Sequence, residues 1–434
     1  MNKTKQSYIL PIIVMIFLFG MISFVTNLAS PMGDILKSQF NVANWMGTLG
    51  VFANFIAYAV MGYPAGNLLQ KHGYKKTALI AVAVGFVGVG IQTLSGMFGS
   101  FGVYLLGAFV AGFSMCLLNT VVNPMLNNLG GGGNRGNQLI QVGGSFNSLC
   151  GTTVIILTGI LIPDITKAQI SNVFPLMYAA LAIFAFAFAV IALTSIPEKE
   201  RTAQAVSEKS PFGPLSFRHF VLGAIGIFIY VGVEVGIPNI LQKWLQNPDL
   251  NVLGLKGIGG AEAIAGSVAG TFWFLMLVGR LVGVAIAGKV SAKAMLVFTS
   301  TLGIVLALAA MFAPATYMVN LPVFKTGSDG LFGLANVPIN AALLVLIGLC
   351  TSVMWGGIFN LAVRGLGKYI EKASGIFMVL VCGGGILPLI QNGIVDLSGG
   401  KGYLVSYWVV VIGLVYLLFY ALVGHKNVNK DIPV

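Results

Sequence analysis

The chain alternates long apolar runs with short polar breaks. A run of about 20 apolar residues, wound as a helix, spans the roughly 30 Å hydrocarbon core of a bilayer. Twelve runs meet that length: roughly 9–36, 45–69, 77–97, 101–128, 138–162, 173–195, 218–246, 263–288, 294–316, 339–362, 372–392 and 403–424. The stretch 317–338, with its Pro and Gly residues, reads as a long loop between the ninth and tenth runs. Lys3 and Lys5 precede the first run, which is too long for a signal-peptide core and lacks a small-residue cleavage site. It reads as a retained first span.

The longest polar segment, Pro197 to Phe217, divides the runs six and six. The pattern therefore predicts an all-α membrane protein with twelve transmembrane helices in two pseudo-symmetric six-helix bundles. The halves are 1–196 and 218–434, joined by a cytoplasmic linker, 197–217. A weak echo supports two related halves: Gly66 to Lys76 follows the second run, and Gly279-Arg280 with Gly288-Lys289 ends the eighth. Half-to-half symmetry is common among transporters.

Composition agrees with the pattern. Only 8% of residues are charged and the mean hydropathy is +0.92, whereas a water-facing domain carries about 25% charged residues. The net charge of +12 does not gather into a nucleic-acid-binding patch. It follows membrane orientation instead. With the N-terminus inside, only Lys37, Lys167, Lys243, Lys256, Lys325 and Lys401 of the 24 Lys and Arg fall outside. The positive-inside rule then puts both termini in the cytoplasm. A multi-pass protein of a plasma membrane, expected to be a bacterial inner membrane, follows. The four cysteines lie within apolar runs without metal-ligand spacing.

Several short segments, in order, carry a resemblance. They are Gly33-Asp-Ile-Leu-Lys-Ser-Gln-Phe40, Leu118-Asn-Thr-Val-Val-Asn-Pro124, Ser145-Phe-Asn-Ser148, Tyr230-Val-Gly-Val-Glu234, and Gly383-Gly-Gly-Ile386 with Pro388. Together with the basic turn Gly66 to Lys76, they resemble the fucose–proton symporter and glucose–galactose transporter family of the major facilitator superfamily. The resemblance spans nearly the whole chain. It implies the twelve-helix major facilitator fold and symport of a sugar with a cation. Three positions depart from the family: Gln70 replaces the acid of the basic turn, Asn119 a fourth-helix glutamate, and Gly144 a fifth-helix glutamine. The family's proton route through that glutamate is not implied here.

Polar residues inside apolar runs are the candidate site. A mid-bilayer charge costs about 2.5–3.5 kcal/mol on insertion scales and marks a cavity or a partner. Glu234 is the one acid well inside a run, and Glu234, Pro238 and Gln242 share a face with Asn239 beside them. Asn119, Asn123 and Asn127 repeat every four residues on the fourth span, as Asn27, Pro31 and Asp34 share a face of the first. Amides offer donors and acceptors to a polyhydroxylated ligand, and an aromatic ring packs on its C–H face. The expected sugar contacts are Asn27, Asn119, Asn123, Gln141, Asn147, Glu234, Asn239, Gln242, Trp355 and Asn360. Asp34 and Glu234 are the expected cation-coupling carboxylates. Arg280 reads as structural.

No Walker-type string and no HExxH occurs, and the three histidines lie near inner loops. The chain reads as a non-enzymatic secondary transporter without cofactor or metal, expected as a monomer among membrane lipids. Its cargo reads as a mono- or disaccharide imported with a cation. Hard oxygen ligands favour sodium over a proton. A facilitator or an exporter of another small polar or amphipathic solute is the alternative.

Overall fold

The computed structural model describes residues 8–40, 49–161, 169–198, 213–255, 260–325, 330, 332–399, 401–429 and 432. Most of the expected linker, 199–212, lies outside the described residues. The helices in order are α1 (Ile9–Phe40), α2 (Leu49–Phe98), α3 (Phe101–Leu129), α4 (Gly133–Leu161), α5 (Phe174–Leu193), α6 (Arg218–Gln246), α7 (Ala261–Ala287) and α8 (Ala292–Phe312). A β-hairpin, β1 (Met318–Phe324) and β2 (Phe332–Pro338), precedes α9 (Ile339–Thr351) and α10 (Met354–Ala362). Then come α11 (Ile370–Val379), α12 (Gly383–Leu397), α13 (Tyr403–Ser406) and α14 (Trp408–Phe419).

Among the described residues, ten helical segments are long and apolar enough to cross a membrane. One of them, Phe52–Phe98, is 47 residues long and holds two spans. With the more polar α4 the total reaches twelve, as the apolar runs predict. The two spans of α2 meet at Gly73, whose φ of 79° and ψ of −179° suit glycine alone. The chain restarts its helix there, and the first backbone donors need partners. Glu198 supplies them: its carboxylate accepts from the N–H of Tyr74 at 3.0 Å and of Lys75 at 2.9 Å. A carboxylate at a helix start also suits the helix dipole.

The chain packs as two compact units. The first comprises Met1–Phe217, Val363–Val379 and Asn429–Val434, and the second Arg218–Ala362 and Leu380–Val428. The division runs through the eleventh span, which a short 3-10 turn, Leu380–Cys382, breaks into α11 and α12. In the first unit, α11 rests on α2 where Gly62 and Gly66 meet Gly375; no side chain fits between those backbones.

In the second unit the tenth span is also broken. Thr351 and Ser352 return their hydroxyls to the carbonyls of Ile347, Gly348 and Leu349. Such back-bonding competes with the helix ladder, and a turn at Ser352 and Val353 separates α9 from α10.

One expectation is corrected. Residues 317–338 are not simply a loop, because they hold the hairpin. Its strands pair antiparallel, with Asn320 opposite Asn336 and Phe324 opposite Phe332. The Phe324 N–H donates to Thr271 Oγ1 at 2.8 Å, and the Phe324 ring stacks on Phe274 at 5.2 Å. Pro322 and Pro338 are tolerated because each strand of a two-stranded sheet has a free edge.

Candidate functional site

In the second unit, α6 carries Glu234 and α7 carries Arg280 to within 3.5 Å of each other, carboxylate Oε1 to guanidinium Nη2. Their side chains are 13% and 11% exposed. Arg280 also donates from Nε to the Ser352 carbonyl at 3.2 Å. That carbonyl lies at the break between α9 and α10. Gly279 has no side chain where a Cβ would strike Ser352 Oγ, so α7 comes close enough for its arginine to reach. A broken helix beside a buried charge is how membrane proteins expose backbone oxygens to a ligand or side chain.

Two aromatics complete this cluster. Tyr230, one turn before Glu234, is fully buried. Its ring lies 6.3 Å from that of Trp355, which is half-buried in the first turn of α10. The Tyr230 hydroxyl faces both Glu234 and Arg280, although it closes no hydrogen bond of good geometry. The cluster therefore offers a carboxylate, a guanidinium, a phenol and an indole face in one place. Asn360, further along α10, is buried.

Farther along α6, the predicted stripe runs from buried Pro238 to exposed Asn239 and Gln242. Asn239 Oδ1 faces Asn392 Nδ2 at 3.5 Å, and Lys243 Nζ donates to Asn392 Oδ1 at 2.8 Å. Lys243 and Asn239 thus meet α12 at the same asparagine.

In the first unit the asparagine stripe of α3 is buried and bonded to itself. Asn119 Nδ2 donates to the Tyr58 hydroxyl at 2.6 Å, and Asn123 Nδ2 to the Asn119 carbonyl at 2.9 Å. Asn123 is fully buried, and Asn119 and Asn127 nearly so. Asn147 of α4 donates to the Phe19 carbonyl of α1 at 2.7 Å, tying two helices together. Asn27 is half-buried and donates to the carbonyl and hydroxyl of Ser23 at 2.8 and 2.9 Å. Gln141 is buried on α4. The side chain of Asp34 lies outside the described residues.

The geometry gathers Glu234 and Trp355 into one cluster and Asn119 with Asn123 into another. Asn147 and Asn27 lie along the contact of α1 with α4. Reading the sequence set Arg280 aside as structural, met Tyr230 only as the start of the motif that ends in Glu234, and did not single out Tyr58. The signal for Arg280 was present: a basic residue inside an apolar run needs a counter-charge.

Comparison with known proteins follows the same lines. The sequence profile of the Major Facilitator Superfamily matches residues 12–389. A glucose/galactose transporter of Brucella abortus biovar 1 (strain 9-941) is 28% identical over 433 residues, covering 98% of this chain and 97% of that protein. A putative glucose/galactose transporter of Helicobacter pylori (strain ATCC 700392 / 26695) is 28% identical over 443 residues, covering 98% and 99%. The L-fucose-proton symporter of Escherichia coli (strain K12) is 21% identical, covering 91% and 89%. Among solved structures, the transporter FucP in its outward conformation aligns over 96% of this chain and 99% of its own. The TM-score is 0.76 at 17% identity, a likeness of fold.

Proposed function

The chain belongs to the Major Facilitator Superfamily, and from that membership we propose that this transporter imports a sugar together with a proton by alternating access. The observation that carries the reading is the largely shielded Glu234–Arg280 pair beside the Tyr230 and Trp355 rings. Ionisable groups in a membrane span mark substrate and proton paths. An indole beside polar groups suits a sugar, which presents apolar C–H faces and polar hydroxyls. Relatives covering nearly the whole chain are named for glucose, galactose and fucose, and a monosaccharide is the first cargo to test.

The surroundings of Glu234 bear on the cation. Hard oxygen ligands favour sodium on ligand type alone, but a guanidinium already stands 3.5 Å from this carboxylate. It supplies the positive charge and repels a second cation. A proton acts differently: it neutralises the carboxylate and releases the arginine. Protonation therefore switches the pair between two arrangements, which is what coupling requires. Asn119 cannot carry a proton in this way, so Glu234 is the coupling carboxylate, with Asp34 as the remaining acid of the first span. Both termini lie in the cytoplasm, on the basic bias of the loops, and the protein works as a monomer in a bacterial inner membrane.

The test is uptake in proteoliposomes with glucose, galactose, fucose and disaccharides, each gradient imposed alone. Sugar accumulation driven by an inward proton gradient and indifferent to sodium is expected. Accumulation that follows sodium alone would restore the sodium reading. Equilibration without accumulation under either gradient would make the protein a facilitator.

A further inference from the structure

Gln391 of α12 is fully buried, and neither its amide nitrogen nor its amide oxygen has a hydrogen-bond partner among the described residues. Buried side-chain amides are nearly always bonded, and an orphaned one calls for an explanation. The amide lies in the contact between α6 and α12. There Gly232 receives Leu387, Gly236 receives the Gln391 amide oxygen, and Gly383 receives the Phe228 carbonyl. The neighbouring Asn392 meets Asn239 and Lys243 on the exposed side of this contact, whereas Gln391 lies on its buried side among Gly232, Gly236 and Leu387.

The first unit holds the counterpart. There α1 packs on α4, with Phe19 against Gly143, and the Asn27 amide lies where a Cβ on Gly151 would fall. Phe19 and Asn27 are eight residues apart on α1, as Phe228 and Gly236 are on α6; Gly143 and Gly151 are eight apart on α4, as Gly383 and Gln391 are on α12. The two units therefore place an amide over a glycine at corresponding heights of corresponding helix pairs, with the two roles exchanged. One difference separates them. Asn27 is satisfied by Ser23, and the position matching Ser23 is Gly232, which offers nothing to Gln391.

We propose that Gln391 is a substrate-reading residue, whose amide takes two neighbouring hydroxyls of the sugar during the transport cycle. The inference rests on the sugar reading above and adds a contact on α12. A side-chain amide presents one acceptor and one donor side by side, which matches two adjacent hydroxyls, one donating and one accepting. In this state the seam closes over it. The helix is built to bend away: α12 starts after the 3-10 turn Leu380–Cys382, and Pro388 lacks the N–H that would complete a helix bond three residues before Gln391. The glycines of α6 leave no interlocking side chains to resist the movement.

The test pairs Gln391→Met, which keeps length and volume, with Gln391→Leu, and reads uptake and thermal unfolding of the full chain. For the best-transported sugar, a series of single-deoxy analogues locates the hydroxyls that are read. Each variant is expected to melt at or above the wild-type temperature, since an unsatisfied amide is removed, while KM rises about tenfold. Deoxy analogues at two adjacent ring positions should transport about tenfold worse than the parent sugar in the wild type, and no worse than it in the variants. Unchanged KM in both variants, or an equal loss over every analogue, would overturn the proposal and leave Gln391 a packing defect. Should the wild type transport no sugar of the panel, the sugar reading itself falls, and this inference with it.

Discussion

The Arg280 guanidinium meets the Glu234 carboxylate at 3.5 Å while its Nε holds the Ser352 carbonyl at 3.2 Å. One side chain thus links α6, α7 and the break in the tenth span. Its position makes the ion pair a joint between three elements.

Removing either charge has different consequences. Glu234→Gln removes the counter-charge of Arg280 but leaves it the Ser352 carbonyl and the new amide oxygen as acceptors, so the protein folds at a reduced unfolding temperature. Uptake falls about 10- to 100-fold, the effect of losing one charge-assisted hydrogen bond of about 1.5–3 kcal/mol. Arg280→Ala leaves the carboxylate uncompensated, and because that group can take up a proton the destabilisation stays below the about 3–5 kcal/mol of a stranded buried charge. The double variant Glu234→Gln/Arg280→Met regains stability but not accumulation. Thermal unfolding in detergent and uptake in proteoliposomes check both. Wild-type accumulation by Glu234→Gln would remove that carboxylate from the coupling.

Coupling gives a second expectation. If protonation of Glu234 releases Arg280, Glu234→Gln is fixed in the neutral form. Sugar exchange across a membrane without a gradient should then persist, while proton-driven accumulation disappears. Counterflow of labelled sugar, measured beside concentrative uptake, separates the two. Loss of both in parallel would assign Glu234 to sugar binding alone.

The positions of the spans were legible in the sequence because lipid imposes a simple requirement, about 20 apolar residues. The seventh span, 218–246, coincides with α6. The breaks were not legible: Thr351 and Ser352 look like ordinary small polar residues until their hydroxyls turn back on the helix. The hairpin was hidden because Pro and Gly masked two alternating runs. Glu234 stood out as a lone acid, but its partner lies 46 residues away, a distance that helical spacing cannot bridge. The asparagine stripe was readable as a face, whereas its bonding to itself and to Tyr58 depends on the packing of α2 against α3. Gln391 was not legible, since one amide in an apolar run stands out only when its partner is missing.

Gly73 and Glu198 give a stability prediction outside the site. Gly73→Ala forces a Cβ into a backbone region open essentially to glycine and costs about 1–3 kcal/mol. Glu198→Ala removes the acceptor of two helix-start donors and costs about 1–2 kcal/mol. Both should lower the unfolding temperature with little change in the KM of the transported solute. A large KM change in Glu198→Ala would mean that this cap also governs the transport cycle.

Whether Asn119 serves the fold or the substrate turns on its bond to Tyr58. Its amide donates to the Tyr58 hydroxyl at 2.6 Å, and both side chains are buried. Asn119→Ala leaves that hydroxyl without its donor and should destabilise by about 1–3 kcal/mol. Tyr58→Phe leaves the amide short of its acceptor and should cost a similar amount. Removing both polar partners together is less costly than the sum, because neither leaves the other unsatisfied and Asn123, which loses the Asn119 side-chain oxygen, keeps the backbone carbonyl there. A double-mutant cycle in thermal unfolding should therefore show a coupling of about 1–2 kcal/mol. Uptake supplies the deciding readout. If Asn119 is only a helix-packing residue, the double variant recovers transport along with stability. If it also bonds the sugar, the double variant folds like wild type yet keeps a raised KM, and that is the outcome expected from its place among the amides of the fourth span. Recovery of wild-type KM in the double variant would move Asn119 out of the binding site and leave the sugar contacts of the first unit to Asn27 and its neighbours.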